Sequence, residues 1–494
     1  MFTYYGHNCF LFETDSNLFL IDPWFSNKGA FFGSWFQYPA NHQYADVVTQ
    51  AAKHKALVVF VTHEHLDHID LDFISRLDLV RVVIPEYQDK FMLESLVAMG
   101  IETLEVPHNT DIDVSRDISI KLLISDVGIN HDSAILVRTP AGTFFNQNDC
   151  KVFDQLSLIS EPIDYYSVQF SGATWHPVCF EYSEIEKKDI SAKKNQIKLS
   201  NVCRGIEALN PRYFVPGAGP AVFPFLDYSL SVGRDNIFIH QDVLADHLMS
   251  EGHDNVMYLS PGDCPHVDKK VPVPPPTLEY LDSYKKSIVN VWHNLTVEFS
   301  EANLKQAIKD RLNLVKDLDF EELPLLIFAW GASPEEKLII NINAGIVSKK
   351  HPIDRNFIRL SADKKYFALM HSGYRWQDIY LTMRARVDRR PDVFSNLANV
   401  FLFSDVSNVR HAFESSISIN PERIIVSDRF GSEFEINRFC PHQGADLSCA
   451  EISEKSEVIC PRHGWRFNLK AGGVNEKSGK SLKAIPSFIQ EKLS

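Results

Sequence analysis

Apolar and polar positions change rhythm along the chain. Up to about residue 265, short apolar runs alternate with polar, turn-rich joints. Apolar stretches over 9–12 and 18–21 flank Thr14-Asp15-Ser16-Asn17, which predicts a hairpin. An unbroken apolar run over 56–61 predicts a buried strand, and another is expected over 80–85 after a short helix over 71–77. Three more strands are expected over 118–124, 134–138 and 143–146. Short strands with helices between them imply packed sheets under helical cover. Lys270-Val-Pro-Val-Pro-Pro-Pro276 is stiff and extended, and reads as a linker. Beyond it, helical periodicity covers 278–291 and 301–316, strands are expected over 325–330 and 337–342, and a helix over 376–384. From about 410 the chain is strand-rich again, with runs over 424–427 and 434–437. Three units are therefore expected, over 1–265, 266–408 and 409–494, which suits 494 residues at about 150 per domain.

Composition narrows the class. Hydrophobic residues at 45% and aromatics at 12% suit several buried cores. The opening Met-Phe-Thr-Tyr-Tyr-Gly-His lacks a basic start and an apolar run, and no stretch approaches the ~18 apolar residues of a membrane span, so no membrane partner is expected. Of eight cysteines, only those at 440 and 460 stand in a recognisable spacing; a reducing, cytoplasmic setting is expected. The net charge of −14 argues against nucleic acid as a partner. It also means that an anionic substrate would need a local cationic pocket.

The two cysteines carry the first chemistry. Cys440-Pro-His442-Gln-Gly-Ala and Cys460-Pro-Arg-His463-Gly-Trp hold Cys-x-His and Cys-x-x-His pairs, the ligand set of a Rieske [2Fe–2S] cluster. Two thiolates there bind one iron and two imidazoles the other, which raises the potential above that of an all-cysteine cluster. A Cys₂His₂ zinc site is the alternative. The glycine turns after each pair favour the cluster, because they bring backbone N–H groups towards its sulfurs. These boxes resemble those of Rieske ferredoxins and Rieske oxygenases, which implies single-electron transfer.

A second site follows the strand over 56–61. Thr62-His63-Glu64-His65-Leu66-Asp67-His68 places three imidazoles and two carboxylates together, ligation suited to one or two ions of zinc, iron or manganese. The run resembles the signature of the metallo-β-lactamase fold. That resemblance implies an α+β multidomain protein: a metallo-β-lactamase-like αββα sandwich, an α+β middle region and a small all-β Rieske domain. It further implies that Asp22 is the early structural aspartate and Asp149 the carboxylate that bridges two metals. His131 falls where the third-motif histidine is expected, and His240 and His176 are candidates for the last one.

Hydrolysis consumes no electrons, so the two motifs share a chain most economically if the second site holds redox-active iron and receives electrons from the cluster. The pairing resembles the CMP-N-acetylneuraminate hydroxylase family. Asn146-Gln-Asn-Asp149-Cys150, Phe170-Ser-Gly-Ala and the segment from Trp376 to Arg384 resemble that family's elements, although its animal members place the Rieske domain first. The resemblance implies an iron-dependent monooxygenase that inserts oxygen into an N-acyl, amine or nucleotide-sugar type small molecule. Its cofactors would be the [2Fe–2S] cluster and one or two non-haem irons held by His63, His65, Asp67, His68, His131 and Asp149. Electrons would come from a ferredoxin, a cytochrome b5-like carrier or a flavin reductase, and O₂ is the oxidant. Arg204 and Arg212 are candidate substrate contacts. A metal-dependent hydrolase with a redox-sensing Rieske domain, or an O₂ or NO reductase, are the alternatives. Residue order leaves open whether cluster and metal meet within one chain or across a homo-oligomer.

Overall fold

A computed structural model of the chain describes residues 2–78, 80–127, 130–265, 270–350, 352, 356–418 and 420–487. Two six-stranded sheets form its N-terminal part. In the first, β1 (Phe2–Tyr4), β2 (Phe10–Glu13), β3 (Asn17–Ile21), β4 (Ala56–Phe60), β5 (Arg81–Pro85) and β6 (Glu102–Val106) lie side by side in chain order. Their outer pairs are antiparallel from β1 to β3, and β3 to β6 run parallel. The second sheet holds β7 (Asp111–Ser115), β8 (Ile118–Val127), β9 (Asn130–Thr139), β10 (Gly142–Asn148), β11 (Tyr165–Gln169) and β12 (Tyr213–Gly217), again in simple order.

The sheets pack face to face through aromatic side chains. Phe144 of β10 lies 4.9 Å from Phe2 and 4.8 Å from Phe10, ring centre to ring centre. Each such ring buries roughly 150–250 Å² and fixes the sheets' separation. Outside the second sheet lies the long helix Glu184–Leu209, which starts at a Ser183–Glu186 capping box and buries Leu199, Val202, Cys203 and Ile206 against that sheet. Helix Ala45–Ala52 covers the first sheet through Ala45 and Val48. This is the αββα sandwich that the resemblance to the metallo-β-lactamase fold implies.

Beyond it, β13 (Leu325–Ala329), β14 (Lys337–Asn341), β15 (Ile346–Ser348), β16 (Phe357–Ser361) and β17 (Arg386–Arg390) form one sheet in the order β15-β14-β13-β16-β17. The helix expected over 376–384 is confined to Trp376–Tyr380. It gives way to β17 because Met383 enters the left-handed region and the next residues pair with β16. The proline-rich stretch is pinned rather than free: Tyr38 Oη donates to the Pro274 carbonyl at 2.7 Å, and the Val273 N–H donates to Gln241 at 2.8 Å.

Two three-stranded sheets close the chain: β18 (Arg423–Ser427) with β19 (Glu433–Asn437) and β23 (Ile485–Pro486), and β20 (Glu451–Ile452) with β21 (Glu457–Ile459) and β22 (Arg466–Asn468). Among the described residues no helix is long and apolar enough to cross a membrane.

Candidate metal centre and its cavity

The parallel strands dictate where the chemistry lies, because functional groups in such sheets gather beyond the strands' carboxyl ends. Asp22 leaves β3, the His63–His68 run leaves β4, and Asp149 leaves β10. Asp22 is fully buried and accepts from the Thr62 N–H and hydroxyl, both at 2.7 Å, and from Asn8 at 2.5 Å. Its remaining partner is the His68 Nδ1–H at 2.7 Å, which turns Nε2 of that imidazole outward.

Two groups of ligand-type atoms share His68: His63, His68 and Asp149 in one, and His7, Asp67 and His68 in the other. His68 Nε2 stands 3.4 Å from Asp149 Oδ1, and His7 Nε2 stands 3.3 Å from Asp67 Oδ2. All four groups are buried or nearly so, yet His7 Nε2, Asp67 Oδ1, His68 Nε2 and Asp149 Oδ1 make no hydrogen bond. Unsatisfied buried atoms converging like this are costly, and a cation satisfies them together. His63 Nε2 and His65 Nδ1 lie 2.8 Å apart beside this cluster. Burial, reinforced by neighbouring imidazoles, pushes His63 well below the ordinary histidine range and His65 below it too. Both rings are thereby neutral, the form that ligates metal. The residues fit one or two transition-metal ions.

Several expected ligands stand elsewhere. His131 bonds through Nδ1 to Asp126, its cross-strand partner on β8, and its Nε2 lies 3.1 Å from the Asn408 side-chain nitrogen. Strand alternation sends the next residue, Asp132, towards the cluster, where its carboxylate stands 3.4 Å from His63 Nδ1. His240 ends the loop before a helix and donates Nε2–H to the Ser231 carbonyl at 2.6 Å. The His176 ring packs 4.6 Å from Phe180 and bonds Tyr182 at 3.3 Å. Neither belongs to the cluster, because each ring is spent on local packing. Arg212 is exposed and lies over Tyr213, and Arg204 donates to the Pro461 carbonyl at 3.2 Å, so neither faces the cavity. Neither His7 nor Asp132 stands within the His63–His68 run, and the sequence pattern does not single them out.

The middle region braces the motif from outside. The Gln377 side-chain N–H donates to His65 Nε2 at 2.7 Å, which orients the ring and puts its proton on Nδ1, the atom that faces His63 Nε2. Arg375 ties Glu64 at 3.0 Å to Asp405 at 2.9 Å. Asp378, beside this network, is buried without a hydrogen bond on Oδ1. Burial, with the charges of Asp405 and Glu64, outweighs Arg375 and pushes its carboxyl up to about 7. The folded chain therefore holds this proton up to neutrality, whereas the unfolded chain releases it near 3.8. Stability contributed by this group falls as pH rises between those values and levels off above the upper one. Asp378→Asn keeps the neutral shape, so thermal melts at pH 8 are expected to show about 1–3 kcal/mol of stabilisation that vanishes at pH 4.

The Cys440 and Cys460 boxes are near-copies of one another. Cys440 N–H bonds the Ala445 carbonyl at 2.9 Å and Cys460 N–H the Trp465 carbonyl at 2.8 Å, each closing a turn with a left-handed glycine, Gly444 or Gly464. Backbone N–H groups of His442 and Gln443 face the first sulfur, and those of Arg462 and His463 the second. The His442 and His463 rings stand 4.7 Å apart at 80°, both with an unpartnered Nδ1. Burial, with Lys151 and Lys480 nearby, pushes His442 down to about 3, and burial also holds His463 well below its usual range. Two buried sulfurs and two neutral, unpartnered imidazole nitrogens fit a [2Fe–2S] cluster.

Both centres open on one cavity of about 290 Å³, whose lining includes Asp132 and Asp149 as well as Gln443, Arg462 and His463. The C-terminal unit is docked there by its own chain. Arg462 and Asp154, both buried, pair at 2.9 Å, and Asp154 also accepts the Asp446 N–H at 3.0 Å. Phe394 covers His442, with ring centres 5.0 Å apart.

The chain matches the Rieske [2Fe–2S] domain family over residues 400–488 and the β-lactamase superfamily domain over residues 1–133. It is similar, at 25% identity, to a Rieske 2Fe–2S iron–sulfur protein of Mycolicibacterium smegmatis, over 97% of this chain and 98% of that one. A like-named protein of Mycobacterium tuberculosis is 26% identical with the same coverage. The cytidine monophosphate-N-acetylneuraminic acid hydroxylase of Cricetulus griseus is 21% identical over 80% of this chain and 74% of its own. The chain thus joins a β-lactamase-fold domain to a C-terminal Rieske domain.

Proposed function

We propose that this protein is a Rieske-coupled, iron-dependent monooxygenase that uses O₂ and external electrons to hydroxylate an N-acyl, amine or nucleotide-sugar type small molecule. The observation that carries this reading is the single cavity lined both by the carboxylates Asp132 and Asp149 and by the cluster-box residue His463. Its support from relatives is the hydroxylase of Cricetulus griseus, named for a CMP-linked sialic acid. Bound ferrous iron would supply O₂ activation at the His63–His68 site, and the Rieske cluster would supply electrons singly.

The chain's own residues supply the rest. Asp22 and Gln377 orient the His68 and His65 rings from behind, which leaves His68 Nε2 free among the metal donors. The apolar walls Phe153, Val168 and Ile237 exclude water where an oxidant would otherwise escape into solvent. Docking through Arg462 and Asp154 holds His463 at the cavity wall, which keeps electron delivery and substrate in one chamber. A ferredoxin, a cytochrome b5-like carrier or a flavin reductase is the proposed donor.

Anaerobic metal analysis with electron paramagnetic resonance on dithionite-reduced protein tests this reading. The expected result is a Rieske signal together with iron beyond the cluster's two per chain. A His63→Ala/His65→Ala double variant should lose the additional iron alone. Zinc filling the second site in protein from its native source would overturn the oxygenase reading in favour of hydrolysis.

A further inference from the structure

We propose that the cavity between the two centres holds a small organic oxyanion, a carboxylate or phosphate ester, gripped by Lys194, Lys198 and the Gln169 amide. This rests on the hydroxylase reading and adds a substrate class to it. The long helix Glu184–Leu209 presents Lys194, Lys198 and Asn201 to the cavity, at the i, i+4 and i+7 spacing of a single helical face. Lys151, which leaves β10 just after Asp149, lines the same space.

These ammonium groups are oriented but not neutralised. Lys194 Nζ donates to the His176 carbonyl at 2.8 Å. Lys198 Nζ donates to the Ser171 carbonyl at 2.7 Å and to Gln169 Oε1. An ammonium has three N–H groups, so two remain on Lys194 and one on Lys198. Among the described residues no carboxylate stands at ion-pair distance from Lys151, Lys194 or Lys198. Gln169 is 7% exposed, lines the cavity, and its Nε2 has no partner although Oε1 is bound. A buried amide donor left open beside unpaired ammonium groups is matched by an acceptor that carries charge.

The carboxylates that line the same cavity, Asp132 and Asp149, are the ones assigned to the metal centre. An anion is repelled from them and drawn to the lysines, so its charged end lies with the helix. Burial pushes Lys194 and Lys198 each down to about 7, and a bound oxyanion offsets that burial. On a chain of net charge −14, this concentration of unpaired cations marks a specific pocket rather than a general anion-attracting surface.

Pyridoxal 5′-phosphate tests the assignment on the holoprotein, with pyridoxal as the probe that lacks the phosphate. A lysine amine adds to the aldehyde and expels water as a Schiff base, and borohydride then reduces that bond to a stable secondary amine read by peptide mass mapping. Lys194 or Lys198 should be labelled about ten-fold faster by the phosphorylated aldehyde, the size of one charge-assisted hydrogen bond. Inorganic phosphate or benzoate should slow that labelling. Protection by phosphate alone assigns a phosphate ester, and protection by benzoate alone assigns a carboxylate. Equal rates for the two aldehydes, labelling confined to exposed lysines such as Lys188 and Lys193, or no protection by either anion would overturn the proposal. Gln169→Leu should reduce the preference for the phosphorylated aldehyde, read as the ratio of the two labelling rates at Lys194 within that variant. Labelling needs neither O₂ nor electrons, so its failure leaves the oxygenase reading to stand or fall on its metal content.

Discussion

His68→Ala is expected to abolish turnover and to strip the metal outside the cluster, while the Rieske spectrum persists. His68 is common to both ligand groups, so its loss leaves each with two members. Neither ligand pair alone competes with buffer for a divalent ion, because affinity follows the number of preorganised donors. The variant also leaves the Asp22 carboxylate buried without its imidazole partner. A stability loss of about 3–5 kcal/mol, typical of breaking one side of a buried charged pair, is therefore expected as well. Metal content per chain and the g-values of the reduced cluster separate the two effects. Retention of the second metal at wild-type stoichiometry would sink the ligand assignment. His240→Ala, at a ring spent on the Ser231 carbonyl, serves as the contrast and should keep full metal.

Asp154→Asn should uncouple the two centres without damaging either. Arg462 and Asp154 are 7% and 1% exposed, so their pair is desolvated, and Asp154 additionally holds the Asp446 N–H. Breaking such a pair costs about 3–5 kcal/mol, which lowers the docked population by roughly 10²–10³-fold relative to the undocked one. Electron delivery to the cavity should fall with the docked fraction, by up to that factor, since it requires His463 at the cavity wall. Rapid mixing of the pre-reduced protein with O₂ and substrate, followed at the cluster's visible bands, measures this directly. An unchanged rate would mean that electrons reach the second centre by another route.

What was readable in the chain tracks how local each constraint is. The His63–His68 run and the two Cys–His boxes place their donors within a few residues, so spacing alone reveals them. Strands such as β4 and β8 were equally plain, since each is an apolar run bounded by turn residues. His7 was invisible because it reaches the cluster from the turn between β1 and β2, where the backbone adopts a positive φ and nothing nearby in sequence hints at ligation. Asp132 was overlooked in favour of the adjacent histidine, although alternation along β9 allows only one of two neighbours to face the site. Gln377 and Arg375 brace the motif from more than 300 positions away, and no local pattern encodes that contact. Whether cluster and metal share a chain was likewise closed to residue order, because it depends on how Arg462 meets Asp154.

The covering of the cavity by Gln443 and His463 has a consequence for biosynthesis. Ribosomes deliver His7 and the His63–His68 run long before the segment that roofs them, and domains fold in the order they emerge. A nascent chain thus carries its metal donors around an open bowl until the final sheets appear. Iron acquired at that stage would meet oxygen with no electron supply and no shelter from solvent. Orderly maturation therefore calls for loading the β-lactamase-fold site last, after the cluster is in place and the C-terminal unit has docked through Arg462 and Asp154.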